Sequence, residues 1–164
     1  MLYSCQSKEQ DNTTLFTKES QQVIALGDFD DIAGDFVDQE VKVKGIVDHV
    51  CKHGGKKLLL VNDDGDVHVK ASEERFKEEL IGEEIMVTGI VEEFRVDEGY
   101  CLQMDEDNMN SHKEGKTDSE LYEKKKHNIQ AYRDSMTASG VDHLSFYSLV
   151  FVSYEIIEND QEIN

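Results

Sequence analysis

The chain has 164 residues, of which 36 are Asp or Glu and 17 are Lys or Arg, for a net charge of −19; 38% are apolar, none is Pro or Trp, and three are Cys. This composition suits one domain with appendages and excludes collagen-like, coiled-coil and disulfide-scaffold classes. No apolar run approaches the ~20 residues of a membrane-spanning helix, and acids outnumber bases throughout (8 to 2 over residues 1–39, 16 to 9 over 40–105, 12 to 6 over 106–164), so no segment reads as a basic arm.

Residues 1–22 read as a flexible tether, since Leu15 and Phe16 are the only large apolar residues from Gln6 to Gln22. Cys5 follows Leu2-Tyr3-Ser4, the aliphatic–variable–small–Cys order at which bacterial lipoproteins receive lipid. The basic and apolar parts of such a signal would have to precede Met1. A lipidated Cys5 implies a membrane tether at the cell envelope; without it the expectation is a cytoplasmic protein.

Residues 23–39 form a helical lead-in. Phe29, Ile32, Ala33 and Phe36 fall at i, i+3, i+4 and i+7, with Asp28 placed to cap. Residues 40–105 then read as strands at 41–51, 57–61, 67–70, 85–93 and 100–104. Gly45 marks a bulge or bend in the first, Gly54-Gly55 a turn, and Asn62-Asp63-Asp64-Gly65 a hairpin turn whose Gly supplies φ > 0. Between the third and fourth strands Ser72 is expected to cap a helix with Phe76, Leu80 and Ile81 on one face and Gly82 as its stop. This order predicts a mainly-β fold, the five-stranded Greek-key barrel of the OB-fold.

Residues 106–164 read as an extension packed on that barrel. Thr117 or Asp118 caps a helix ending at Ser139 before Gly140, with Tyr122, Lys125, Ile129, Tyr132 and Met136 in one stripe and Lys125 snorkelling. Residues 143–157 are extended and apolar on both faces, so the long helix, the barrel or a second copy must cover them. A homo-oligomer pairing through this segment is one expectation.

Two constellations carry candidate chemistry. His49, Cys51 and His53 have ligand types for Zn or Cu, and i and i+2 share one face of a strand. All three span about 13 Å at ~3.3 Å per residue, so a regular strand cannot offer them to one ion; the Gly54-Gly55 turn can curl His53 back, with His68 or Cys101 as further ligands. A bulge at Gly45 would turn His49 and Cys51 outward; without it they continue the inward row of Val43 and Val47. The plainer reading is a small apolar Cys between two ordinary His residues. The second constellation is Lys52, Lys56, Lys57 and Lys70 with His68 and Tyr100, placed where OB barrels hold single strands; its plainer reading is a solvated loop. Aromatic platforms are scarce there, with Phe94 after the fourth strand and Tyr100 at the fifth.

Weaker signals resolve as structure. A calcium loop around Gly65 would place Leu60 and Ala71 at liganding positions. Gly115-Lys116-Thr117 lacks the earlier Gly and the preceding strand of a phosphate loop. Lys124-Lys125-Lys126-His127 reads as a solvated helix face. No GxSxG or HExxH motif is present, and a non-enzyme is expected.

The segments Val41-Lys-Val-Lys-Gly-Ile-Val47, Leu58-Leu-Leu-Val-Asn-Asp-Asp-Gly65 and Leu80-Ile-Gly-Glu-Glu-Ile-Met-Val-Thr-Gly-Ile-Val91 resemble the strand pattern of nucleic-acid-binding OB domains of the tRNA-anticodon-binding type. The stretch from His49 to Lys57 is similar to small bacterial OB-fold proteins described as nucleic-acid-binding lipoproteins. The resemblance implies a binding module whose ligand is single-stranded nucleic acid or another oligomer.

Overall fold

The computed structural model describes residues 21–158. Its six strands are β1 (Gln22–Ile24), β2 (Glu40–Val50), β3 (Lys57–Val61), β4 (Asp66–Lys70), β5 (Glu84–Asp97) and β6 (His143–Ile156). β2 pairs antiparallel with β5 over Glu40 to Ile46 and with β3 over Ile46 to Val50, so one long strand serves both halves of the sheet. It can do so because Gly45 has no side chain: a Cβ there would lie 2.8 Å from Leu26 Cδ1 and 3.1 Å from the Val61 carbonyl oxygen. β4 follows β3 antiparallel, β6 runs parallel to β4 at Val69↔Leu149 and Lys70↔Val150, and β6 pairs with β5 from Ile85↔Ile156 to Asp97↔His143. The circuit β2–β3–β4–β6–β5 closes on β2 as a five-stranded OB-type barrel, with β1 added parallel to β2.

The closing strand is not the one expected at residues 100–104. Those residues lie in α2 (Glu98–Lys113), capped by Asp97, whose Oδ1 accepts from the Tyr100 amide at 2.8 Å. A five-residue apolar run does not distinguish helix from strand. The spacing of Tyr100 and Cys101 from Met104, four and three residues, decides it by meeting α3 (Ser119–Ser139) at a small second core of Val96, Cys101, Ile129 and Met136. The barrel strands therefore extend from Glu40 to Ile156, and α2–α3 is an insertion between the last two rather than part of a C-terminal appendage.

The helix expected between the third and fourth strands shrinks to a 3₁₀ turn, Glu78–Leu80. A helix would send the Phe76 amide to the Ser72 carbonyl. Instead that amide donates to the Gly55 carbonyl at 2.7 Å, and Lys56 Nζ takes the Ser72 carbonyl at 2.8 Å. Phe76 and Leu80 still reach the core, while Ile81 stays exposed. The lead-in plugs the opposite end with Phe29 and Ala33, both fully buried, on a 3₁₀ turn, α1 (Phe29–Ile32) and a second 3₁₀ turn. Asp28 makes no side-chain cap. Gly65 does not take positive φ in the β3–β4 turn. Close packing needs it, since a Cβ there would lie 3.1 Å from the Leu26 carbonyl oxygen.

α3 follows expectation. Asp118 Oδ1 accepts from the Leu121 amide at 2.8 Å, Gly140 ends the helix at φ 66°, and Ile129 and Met136 are buried. Segment 143–157 pairs within the chain, between β4 and β5, which buries Ser148 and Leu149 but leaves Phe146, Val152, Tyr154 and Ile156 exposed. Among the described residues no helix is long and apolar enough to cross a membrane.

Candidate nucleic-acid interface

The outer face of β2, β3 and β4 is set by a bulge. The β2–β3 register slips between Val47 and His49, leaving Asp48 as the extra residue. The phase change comes three residues after Gly45, and His49 turns outward beside Leu59, which neighbours His68. The next row outward is Lys57, Lys70, Val150 and Ile90, strand to strand. Lys70 Nζ donates to Glu92 Oε2 at 2.7 Å; this bond, with Ser148 helping, holds the Glu92 carboxyl below its ordinary range. Lys57 is exposed.

At the β2–β3 end, the Gly55 amide donates to the Cys51 carbonyl at 2.8 Å and closes the loop into a turn. Beneath it lies a cavity of about 170 Å³ lined in part by Cys51, Lys52, Arg75 and Glu78. Arg75, expected in a helix, instead crosses Gly55, whose Cβ would lie 3.4 Å from that of Arg75. The fold thus gathers Lys52, Lys56, Lys57, Lys70 and Arg75 at this end of the face. Sequence reasoning missed Arg75 because its surroundings depend on a loop 20 residues earlier.

The other end is aromatic. Phe94 and Phe146 are direct partners across β5 and β6, 44% and 46% exposed, on the same face as Ser148, Val150 and Lys70. Tyr100 from α2 meets Phe94 edge-on at 5.1 Å, and Tyr132 from α3 meets Phe146 edge-on at 6.1 Å. Tyr100 is therefore brought to this face, though from a helix. Phe146 and Tyr132 escaped the sequence reading because no local signal links them to Phe94. Between the two ends, β4 and β6 pair at only two positions and then part, leaving a cavity of about 390 Å³ walled by Asp30, Asp66, Val67, His68, Ser145, Phe146 and Tyr147. Burial, then Asp66 and Asp31, push the Asp30 carboxyl above its ordinary range.

Among the described residues no three His, Cys, Asp or Glu side chains come together to hold a metal. Cys51 is half-buried at the loop cavity and Cys101 is buried in the second core. His53 is exposed in the loop. Cys5, the expected lipid attachment residue, lies outside the described residues.

No protein-family model matches this chain, and no curated protein matches it. Among solved structures it is similar to a protein described as an aspartyl-tRNA synthetase from Leishmania major Friedlin, at 15% identity and a TM-score of 0.35. The match covers 50% of this chain and 18% of that one. The OB assignment rests on the strand order and barrel closure.

Proposed function

We propose that this OB barrel is a non-enzymatic module that holds single-stranded nucleic acid across its outer face. One observation carries the reading: a continuous face with a cationic end (Lys52, Lys57, Arg75) and an exposed aromatic end (Phe94, Phe146). Backbone charge is met at the first and bases stack at the second, the two components of single-strand recognition. Lys57 stands directly opposite Lys70, and like charges so placed destabilise a sheet unless an anion relieves them. Glu92 does this for Lys70; a phosphate would do it for Lys57. The net charge of −19 opposes any polyanion at long range, so the affinity is local and falls with salt.

The test is fluorescence anisotropy with labelled single-stranded DNA and RNA 12-mers at ~50 and ~200 mM salt. Phe146→Ala removes a stacking platform worth about 1–3 kcal/mol per base and should weaken binding about 5- to 150-fold. Lys57→Glu should weaken binding for all sequences and flatten its salt dependence. Absence of binding at high protein concentration, or binding indifferent to both substitutions, refutes the reading.

A further inference from the structure

We infer that the cavity between β4 and β6 is a pocket for one guanine base of the bound strand; the inference rests on the proposed function and specifies its selectivity. The cavity lies where the two strands part, and its lining includes His68 and Phe146 from the same face as the cationic and aromatic ends, so a strand lying there runs beside it. At about 390 Å³ it is near the small end of ligand sites, matched to one flat ring system rather than to a stretch of chain. His68 from β4 and Phe146 from β6 provide ring walls, and Tyr132 braces Phe146 edge-on. Rings of this kind stack on bases.

The polar part of the wall decides which base. Asp30 and Asp66 set carboxyl oxygens, which are hydrogen-bond acceptors, into the lining, with no Lys or Arg among the described residues that wall the cavity. They favour a ligand edge made of donors. Guanine offers two adjacent donors on its Watson–Crick edge, N1–H and the N2 amino group, which one carboxylate can accept together. Cytosine and adenine each offer one amino group beside acceptors. Thymine and uracil offer one N–H flanked by two carbonyl oxygens, which the carboxylates repel. A phosphate is excluded by charge. A bare cation would use the carboxylates but not the ring walls, and among the described residues no third ligand joins them.

The experiment uses the full chain and a set of 12-mers of thymidine with one central position changed to guanosine, inosine, adenosine or cytidine, read by anisotropy in the presence of EDTA. A bidentate pair of this kind discriminates by about 1–3 kcal/mol, so the guanosine oligomer should bind about 5- to 150-fold tighter than the all-thymidine one. Inosine, which lacks the N2 amino group, should fall between. Asp30→Asn and Asp66→Asn should bring the guanosine-to-thymidine ratio close to one, and circular dichroism checks that each variant folds. If the all-thymidine oligomer binds and guanosine adds nothing, or its advantage survives in both variants, the pocket is refuted while the single-strand reading stands. If no oligomer binds, both fall.

Discussion

Leu149→Ala tests whether β6 belongs to the barrel or only leans on it. Leu149 is fully buried, paired with Val69 of β4 and Val91 of β5, so its side chain lies at the seam that closes the barrel. Truncation removes about 2 kcal/mol of transfer free energy and leaves a cavity whose walls, Val69 and Val91, belong to two other strands and collapse only in part. The expected loss is about 3–4 kcal/mol, within the range for buried Leu to Ala. With a urea m-value of about 2 kcal/mol/M that moves the midpoint down by roughly 1.5–2 M. Val152→Ala is the control. It lies in the same strand at the bulge opposite Thr88 and Gly89, 45% exposed, and should cost under ~1 kcal/mol. The assay is urea unfolding followed by circular dichroism. A loss for Leu149→Ala no larger than for Val152→Ala, or a separate early transition, would show that the barrel holds without β6.

Three further outcomes follow from local geometry. Gly89→Ala places a Cβ 2.9 Å from the Val150 carbonyl oxygen and 3.0 Å from Leu149 Cβ, and should cost about 1–3 kcal/mol in the same unfolding assay. Asp118→Ala removes the cap of α3 and should cost about 1 kcal/mol, seen as a lower midpoint with some loss of helical signal. Asp30 has a carboxyl held above its ordinary range, by burial first, so folding favours its protonated form. That stabilisation is complete below the ordinary carboxylate range and is lost as pH rises through the raised value. Asp30→Asn keeps a neutral group at every pH, so its melting temperature should exceed the parent's at pH 7 and converge with it near pH 3; a constant difference would contradict the burial argument.

The readable parts of this protein were those with local causes. The alternation of Val41, Val43 and Val47, the stripe ending at Ile129 and Met136, and the stop at Gly140 each follow from spacing within one element, and each is present. The first four barrel strands were legible for the same reason, while the closing strand was read as part of the extension. The candidate site was legible by half. Lys52, Lys56, Lys57, Lys70 and His68 share a stretch of some twenty residues, and the strand pattern alone places them on or beside one face.

What pairs across long separations was not legible. Residues 100–104 carry as good a strand pattern as a helical one, and only contact with α3 makes them helical. Residues 72–77 pattern as a helix, but the Gly55 carbonyl and Lys56 take the two backbone groups a first turn needs. The partner of Phe94 is Phe146, 52 residues away, and that of Asp66 is Asp30, in a different element altogether. Amino-acid order determines which way each strand and helix faces, because side-chain direction repeats every two or 3.6 residues. Which faces meet is a property of the closed barrel, in which burial and backbone hydrogen bonds are satisfied together, and the aromatic platform and the acidic cavity exist only through that closure.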